Sequence, residues 1–402
     1  MTSQTLPFSI TIVAPASEIY RAFTNGTILR DWLCDSSQAL PRLGGRLYLW
    51  WNNGYYTNGV FTHLEPSEKI MFTWNGRGEP AETRVVVRIT PQTEDCLVTL
   101  EHCDIGSDSA WVTASQSIQT GWITGLENLK SILETGRDLR FIRRPMLGIG
   151  IGEFDESIAS KLGIPVKEGI RLDNVIEGMG PRLAGMQKDD VMVSLGGHVT
   201  NDWTSLTEAL QSHHAGDKIE VVFYRGQEKK LVAMELSHRQ LPALASSPKL
   251  LSEATEKQYQ EILGQLDQLF AGLIESEASQ RPVPGEWSVK EILAHLIHSE
   301  RGWHNAINEI VASQESYTDD FSGNLQFRID ATLAVYPTLT DLLQTLNKDM
   351  AETIQLLTCL PADFLVHKSS YWRLAYGAPQ TPLHINGHIE QLRDTINSIR
   401  SI

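Results

Sequence analysis

Near the C-terminus, Thr381-Pro-Leu-His-Ile-Asn-Gly-His-Ile-Glu-Gln391 sets His384 and His388 four residues apart. On a helix that spacing stacks two imidazoles on one face, one turn apart. It is a common way to hold two ligands of a transition metal, but two ligands do not make a site. A third candidate is His295, three after Ile292 and one before Leu296, at the flank of an apolar stripe. His384 and His388 likewise each precede a stripe residue, Ile385 and Ile389. If the two helices pack together, the three imidazoles converge at one end of a bundle. Three protein ligands leave open positions at which a metal can activate water or a thiol. His298, one turn from His295, is either an alternate ligand or exposed. His304 and His367 fit no pattern and are expected on the surface.

The elements that must position these histidines are four amphipathic stretches after residue 250. The first runs from about 250 to 276, with Tyr259, Ile262, Leu266 and Leu269 at helical spacing. The second starts at Ser288, with Glu291 three residues on as a capping box, and runs to about 312. The third covers about 338–357. The fourth opens with Thr381 as cap and Pro382 at the first helical position. The long polar segment between the second and third reads as a crossover of a four-helix bundle. Pro284-Gly-Glu-Trp-Ser-Val-Lys-Glu-Ile-Leu-Ala-His295-Leu…Glu300 together with His384-Ile-Asn-Gly-His388-Ile-Glu-Gln391 resembles the DinB-like superfamily. The resemblance implies an all-α bundle over 250–402 and a divalent metal, zinc or nickel, on His295, His384 and His388. It also implies chemistry of the metal-dependent thiol-transferase or hydrolase type. The bundle could also pair between chains.

The 402 residues predict two or three domains. A net charge of −15 repels nucleic acid and anionic membranes, so both are set aside as partners. The N-terminal stretch lacks a basic region followed by an apolar run, and no apolar run is long enough to span a bilayer. Four scattered cysteines, Cys34, Cys96, Cys103 and Cys359, fit reduced, buried thiols. A cytoplasmic protein is the expectation.

Residues 1–140 read as a strand (Phe8–Val13), a short helix capped by Ser17, then strand-like runs from Arg46 to His102 separated by turn signals. A long helix follows from about Ser109 to Glu134, with Gly136 as terminator. Ala14-Pro-Ala-Ser-Glu-Ile-Tyr-Arg-Ala-Phe23, Gly44-Gly45, Phe72-Thr-Trp74 and Gly121-Trp122…Leu126…Leu129 resemble the START-like (SRPBCC) superfamily, in the branch related to the activator of the heat-shock-protein ATPase. The resemblance implies a helix-grip fold. Trp32, Trp51, Tyr56, Phe72, Trp74 and Trp122 then either fill a core or line a cavity for a small apolar ligand. His102 is either an ordinary strand residue or a polar group inside that cavity.

Residues 141–238 alternate short strands with two short helices. Gly196-Gly197 is a hairpin signal, and Thr204 is the expected cap of a helix to His213. Leu147-Gly-Ile149, Gly180-Pro181…Ala184-Gly-Met186…Asp189-Asp-Val191 and Arg225-Gly226 resemble the PDZ domains of bacterial trypsin-like heat-shock proteases. That implies capture of a peptide C-terminus. Met146, Leu147, Gly148 and Ile149 would hold its carboxylate, and the groove would run between Ile149–Ile151 and the 204–213 helix. No Gly-Asp-Ser-Gly motif accompanies it, so a protease is excluded. Residues 239–249, with two prolines, read as a linker.

The whole is a multidomain α+β chain with a helix-grip domain, a PDZ domain and a metal-binding bundle. Two functions compete at this stage. One is a metal-dependent transferase or hydrolase. The other is a non-enzymatic adaptor or stress-related binding protein with a structural metal.

Overall fold

The computed structural model describes residues 3–211, 213–239, 241, 243–315 and 326–401. The chain forms two compact units: residues 139–242 make one, and residues 1–138 with 243–402 make the other. Among the described residues no helix is long and apolar enough to cross a membrane.

In the larger unit, β1 (Ser3–Ile12), β2 (Ser36–Ala39), β3 (Arg46–Trp50), β4 (Tyr56–Glu65), β5 (Lys69–Gly76), β6 (Thr83–Pro91) and β7 (Cys96–Gly106) form an antiparallel sheet. Its order is β1-β7-β6-β5-β4-β3-β2. Helices α1 (Ala16–Thr24) and α2 (Gly26–Trp32) lie between β1 and β2 in the chain, and α3 (Val112–Thr135) closes the domain. Period-two alternation turns Leu47, Leu49, Phe61, Phe72 and Val85 inward, and α3 meets them with Ile118, Trp122, Leu126 and Leu129. The antiparallel sheet with a long closing helix is the expected helix-grip arrangement. Two local expectations fail. Ser17 does not cap α1, because the Pro15 carbonyl already accepts from Glu18 and Ile19 and the helix starts two residues earlier, at Ala16. Helix α2 was not foreseen; Asn25 caps it by accepting from the Ile28 N–H.

A polar chain runs through the domain interior at His102. The Trp122 indole donates to His102 Nδ1 at 3.0 Å, and His102 Nε2 lies 2.7 Å from the Thr83 hydroxyl, which donates to the Trp74 carbonyl at 3.1 Å. The only pattern that satisfies every atom is neutral His102 with its hydrogen on Nε2. A second proton would have to displace the Trp122 donor, and His102 is fully buried. Burial accordingly pushes its pKa down to about 4.

In the smaller unit, α4 (Leu139–Ile142) precedes β8 (Ile149–Gly152), α5 (Glu156–Leu162), β9 (Ile170–Val175) and α6 (Gly180–Leu183). Then come β10 (Val191–Leu195), β11 (His198–Val199), α7 (Trp203–Leu210), β12 (Lys218–Arg225) and β13 (Glu228–Glu235). The sheet runs β13-β12-β10-β9-β8, with β11 on β10 through a hairpin at Gly196-Gly197, both at positive φ. Helix α7 is capped by Asp202 in a reciprocal box with Ser205, so Thr204 is already inside it. It ends at Leu210, short of the expected His213; Ser212 lies outside the described residues. Each member of the Asp189-Asp190 pair has its own arginine: Arg171 donates to Asp189 at 2.8 Å, and Arg225 holds Asp190. That guanidinium reaches both oxygens of fully buried Asp190 at 2.8 Å.

The C-terminal part of the larger unit is built on α8 (Pro248–Leu269), α10 (Val289–Ala312), α12 (Leu339–Thr358) and α14 (Gln380–Arg400). Three short helices were not anticipated: α9 (Glu275–Ser279), α11 (Gln326–Val335) and α13 (Lys368–Gly377). Residues 316–325 of the expected crossover lie outside the described residues. Ser288 and Glu291 form the expected capping box at the start of α10. Helix α8 begins within the expected linker, with Ser247 as cap and Pro248 in its first turn. Helix α14 begins at Gln380, so Thr381 and Pro382 sit inside its first turn. Pro382 is tolerated there because first-turn N–H groups have no intrahelical acceptor.

The sheet domain and the bundle meet through charge. Arg373 on α13 holds Asp31 of α2 at 2.5 Å and Glu315 at 2.8 and 3.0 Å. His367, expected on the surface, instead contacts Glu18 of α1 at 2.8 Å and Arg21 at 3.1 Å. Arg21 also bonds Ser313, which follows α10. Gly136, the left-handed cap of α3 at φ 77°, abuts α13 so closely that a Cβ would lie 2.4 Å from the Lys368 carbonyl. Only glycine satisfies both demands.

Candidate metal centre

Helix α10 brings His295 to the flank of its buried stripe, and α14 does the same for His384 and His388. Their rings meet, with centroids 4.6 to 5.2 Å apart. His295 Nε2 lies 3.3 Å from His384 Nε2, which lies 3.1 Å from His388 Nε2. All three ligand atoms fall within 4.8 Å of one another. Nitrogens held at about 2.0–2.1 Å around a tetrahedral cation are about 3.3 Å apart.

The outward edges of the rings say the same. His388 Nδ1 is 2.7 Å from the Gln391 side-chain carbonyl, which can only accept. His388 therefore carries hydrogen on Nδ1 and turns a lone pair inward. His384 Nδ1 is 3.3 Å from the Ser299 hydroxyl. Inward lone pairs 3.1 Å apart repel unless a cation or a proton sits between them. Burial first, then the neighbouring imidazoles, pushes His295 down to about 4 and lowers His384 as well, so protons fill this role poorly. The donor set fits a borderline metal such as zinc or nickel. His384 is exposed, so the centre opens to solvent. Trp287 packs against His295 at 5.2 Å.

His298 is not part of this centre. Its Nε2 is 2.9 Å from the Arg328 carbonyl and 2.8 Å from the Thr332 hydroxyl, both on α11. His304 is buried rather than on the surface. Its Nε2 reaches the Thr353 hydroxyl at 2.8 Å and the Asp349 carbonyl at 3.0 Å. Thr353 donates to Glu300 at 2.8 Å, and Tyr259 donates to the same carboxyl at 2.9 Å. This network joins α8, α10 and α12, and nothing in the sequence pattern had singled it out. Glu300 is fully buried, and burial lifts its pKa to about 7 against the lowering by its two hydroxyl donors.

A carboxyl raised from 4.5 to about 7 on folding stabilises the bundle fully below pH 4.5, and that stabilisation fades as pH rises through 7. The amount at stake is about 3 kcal/mol. Glu300→Gln keeps an acceptor without the ionisation. At pH 8 the amides of α8, α10 and α12 are expected to exchange with solvent deuterium roughly 10- to 100-fold more slowly in the variant than in the parent. At pH 5 the two should match. Equal exchange at both pH values would show that Glu300 carries no such linkage.

Of the residues expected to line the sheet domain's interior, Trp51, Phe72, Trp74 and Trp122 come together. Trp74 lies 5.5 Å from Trp122, 6.3 Å from Trp51 and 6.4 Å from Phe72. Trp32 packs elsewhere in the core, edge-on to Phe23. Tyr56 does not belong with them. Alternation along β4 turns Thr57 inward and Tyr56 outward, where it is 37% exposed beside Tyr48.

At the proposed carboxylate loop, Gly148 has φ 67° and its carbonyl accepts from Ile176. Among the described residues the Leu147 and Gly148 N–H groups have no backbone acceptor. Strand β8, which follows, is the sheet edge.

Three known families match separate stretches of the chain. Residues 13–134 match the family described as Activator of Hsp90 ATPase homolog 1-like protein, residues 145–236 the PDZ domain and residues 258–391 the DinB superfamily. The PDZ region is similar to curated bacterial proteases. Serine protease Do-like HtrA of Lactococcus lactis subsp. lactis is 30% identical over 112 residues, 27% of this chain and 28% of that protein. A probable periplasmic serine protease do/HhoA-like of Haemophilus influenzae is 25% identical over 133 residues, 33% of this chain and 28% of that protein. The chain thus spans little more than a quarter of the length of these relatives. Similar solved structures include the Aha1 dimer of Colwellia psychrerythraea, with 20% identity, 33% of this chain and 98% of that chain covered, and a TM-score of 0.31. Protein MLL2253 of Mesorhizobium loti gives 22% identity, 32% and 96% coverage and a TM-score of 0.30.

Proposed function

We propose that the bundle holds a divalent cation, zinc or nickel, on His295, His384 and His388 and works as a metal-dependent thiol transferase or hydrolase. The PDZ module would bring a partner protein to it. The observation that supports this is the convergence of three Nε2 atoms, with Gln391 accepting from the outer nitrogen of His388. When bound, the cation would supply a Lewis acid that lowers the pKa of a thiol or water at an open position. The chain itself supplies three neutral ligands, which leave the cation's charge uncompensated. Exposed His384 lets substrate approach, and Trp287 gives an apolar wall behind His295. The test is elemental analysis of untagged full-length protein. About one equivalent of metal is expected; less than about a tenth, unchanged in His384→Ala, would remove the reading. Turnover of a thiol with an electrophile, lost on chelation, would separate an enzyme from an adaptor with a structural metal.

For the PDZ module, edge strand β8 and the two N–H groups at Leu147 and Gly148 support capture of a free C-terminus by strand addition. A C-terminal peptide selected from an array is expected to lose at least 10-fold in affinity when its carboxylate is amidated, since a charge-assisted hydrogen bond is removed. Indifference to amidation would exclude this mode.

A further inference from the structure

Building on the metal reading, we infer that Gln391 is a positioning residue of the centre, with Ser299 a weaker second. An exposed glutamine on a helix ordinarily keeps its rotamer freedom. Gln391 instead places its carbonyl 2.7 Å from His388 Nδ1, one turn along the same face of α14. That contact fixes two things at once: the tautomer, because the carbonyl can only accept, and the ring plane, because the acceptor is itself anchored on the helix. Ser299 acts on His384 from α10, but at 3.3 Å and through a hydroxyl that can also donate. His295 Nδ1 has no hydrogen-bond partner among the described residues; its ring is held by packing on Trp287. The three ligands are therefore unequal: His388 is set by a hydrogen bond to an obligate acceptor, His384 by a longer one to a hydroxyl, and His295 by ring packing alone.

Outer hydrogen bonds of this kind change metal affinity by about 10- to 100-fold. In the full-length protein, zinc affinity measured by competition with a chromophoric chelator is expected to fall by that factor in Gln391→Leu. Ser299→Ala should fall less. Gln391→Glu keeps an acceptor at the same place and is expected to return the affinity to within a few-fold of the parent. Cobalt absorption should change in Gln391→Leu and recover in Gln391→Glu. Metal-free Gln391→Leu should melt with the parent. A parent that binds no zinc removes the metal reading and this inference with it. A parent that binds zinc while Gln391→Leu binds it equally overturns the positioning role alone. So does a loss that Gln391→Glu fails to restore, or one that comes with a destabilised metal-free variant.

Discussion

Arg373→Met is expected to lower the stability of the larger unit by about 2–4 kcal/mol, the largest single loss anticipated outside the hydrophobic cores. Arg373 pairs with two carboxylates at this junction, Asp31 at 2.5 Å and Glu315 at 2.8 Å. The side chains of Asp31 and Glu315 are only 10% and 19% exposed. Burial already raises the Asp31 pKa, and Arg373 is what pulls it back, while Glu315 pushes it further up. Removing the guanidinium leaves two like charges short of water with nothing between them. Breaking one partner of a deeply buried pair costs about 3–5 kcal/mol; the partial exposure here brings the figure down. The urea midpoint of unfolding measures it. A triple change, Arg373→Met with Asp31→Leu and Glu315→Leu, should recover most of the loss, because replacing a whole buried ionic cluster by apolar groups is close to neutral. An unchanged midpoint in Arg373→Met would mean that the cluster contributes nothing to the union of the sheet domain with the bundle.

Zinc at a free concentration 100 times its dissociation constant is expected to stabilise the same unit by about 2.7 kcal/mol, and His388→Ala should abolish the gain. The midpoint with and without zinc gives the number directly. The pH dependence has a definite sign. Metal needs neutral imidazole, and His295, brought down to about 4 by burial and then by its neighbours, stays neutral well below the usual histidine range. Zinc binding should therefore weaken as pH falls, with the His295 contribution lost only near pH 4. In the metal-free protein the depressed His295 contributes stability above pH 6.5 that is lost as pH falls through 4. Equal stabilisation by zinc in parent and His388→Ala would exclude this centre.

How far the sequence could be read depended on the distance over which its signals act. The convergence of His295, His384 and His388 was legible because each flanks an apolar stripe, and spacing alone sets the face of a helix. The Ser288–Glu291 box and the Gly136 cap were legible for the same reason. His304 and His367 were misplaced because their partners lie 45 and 349 residues away. The Glu300 network needs the rotational phase of three helices at once, which no single stripe specifies. Tyr56 shows a smaller failure. One step of strand parity separates the interior from solvent, and a run of aromatics does not reveal that parity by itself.

The unit that joins residues 1–138 to residues 243–402 also bears on how the protein is made. Synthesis runs from the N-terminus, and domains fold as they emerge. The sheet domain must therefore wait through translation of the whole PDZ module, and then most of the bundle, before Arg373 exists. At 5–20 residues per second that wait is on the order of tens of seconds. An apolar docking face would spend the interval open to aggregation on the ribosome. Glu18, Arg21 and Asp31, side chains that later meet the bundle, are instead ones that water solvates well. A charged seam holds together less firmly than an oily one, but it lets the first-made half wait safely for the last.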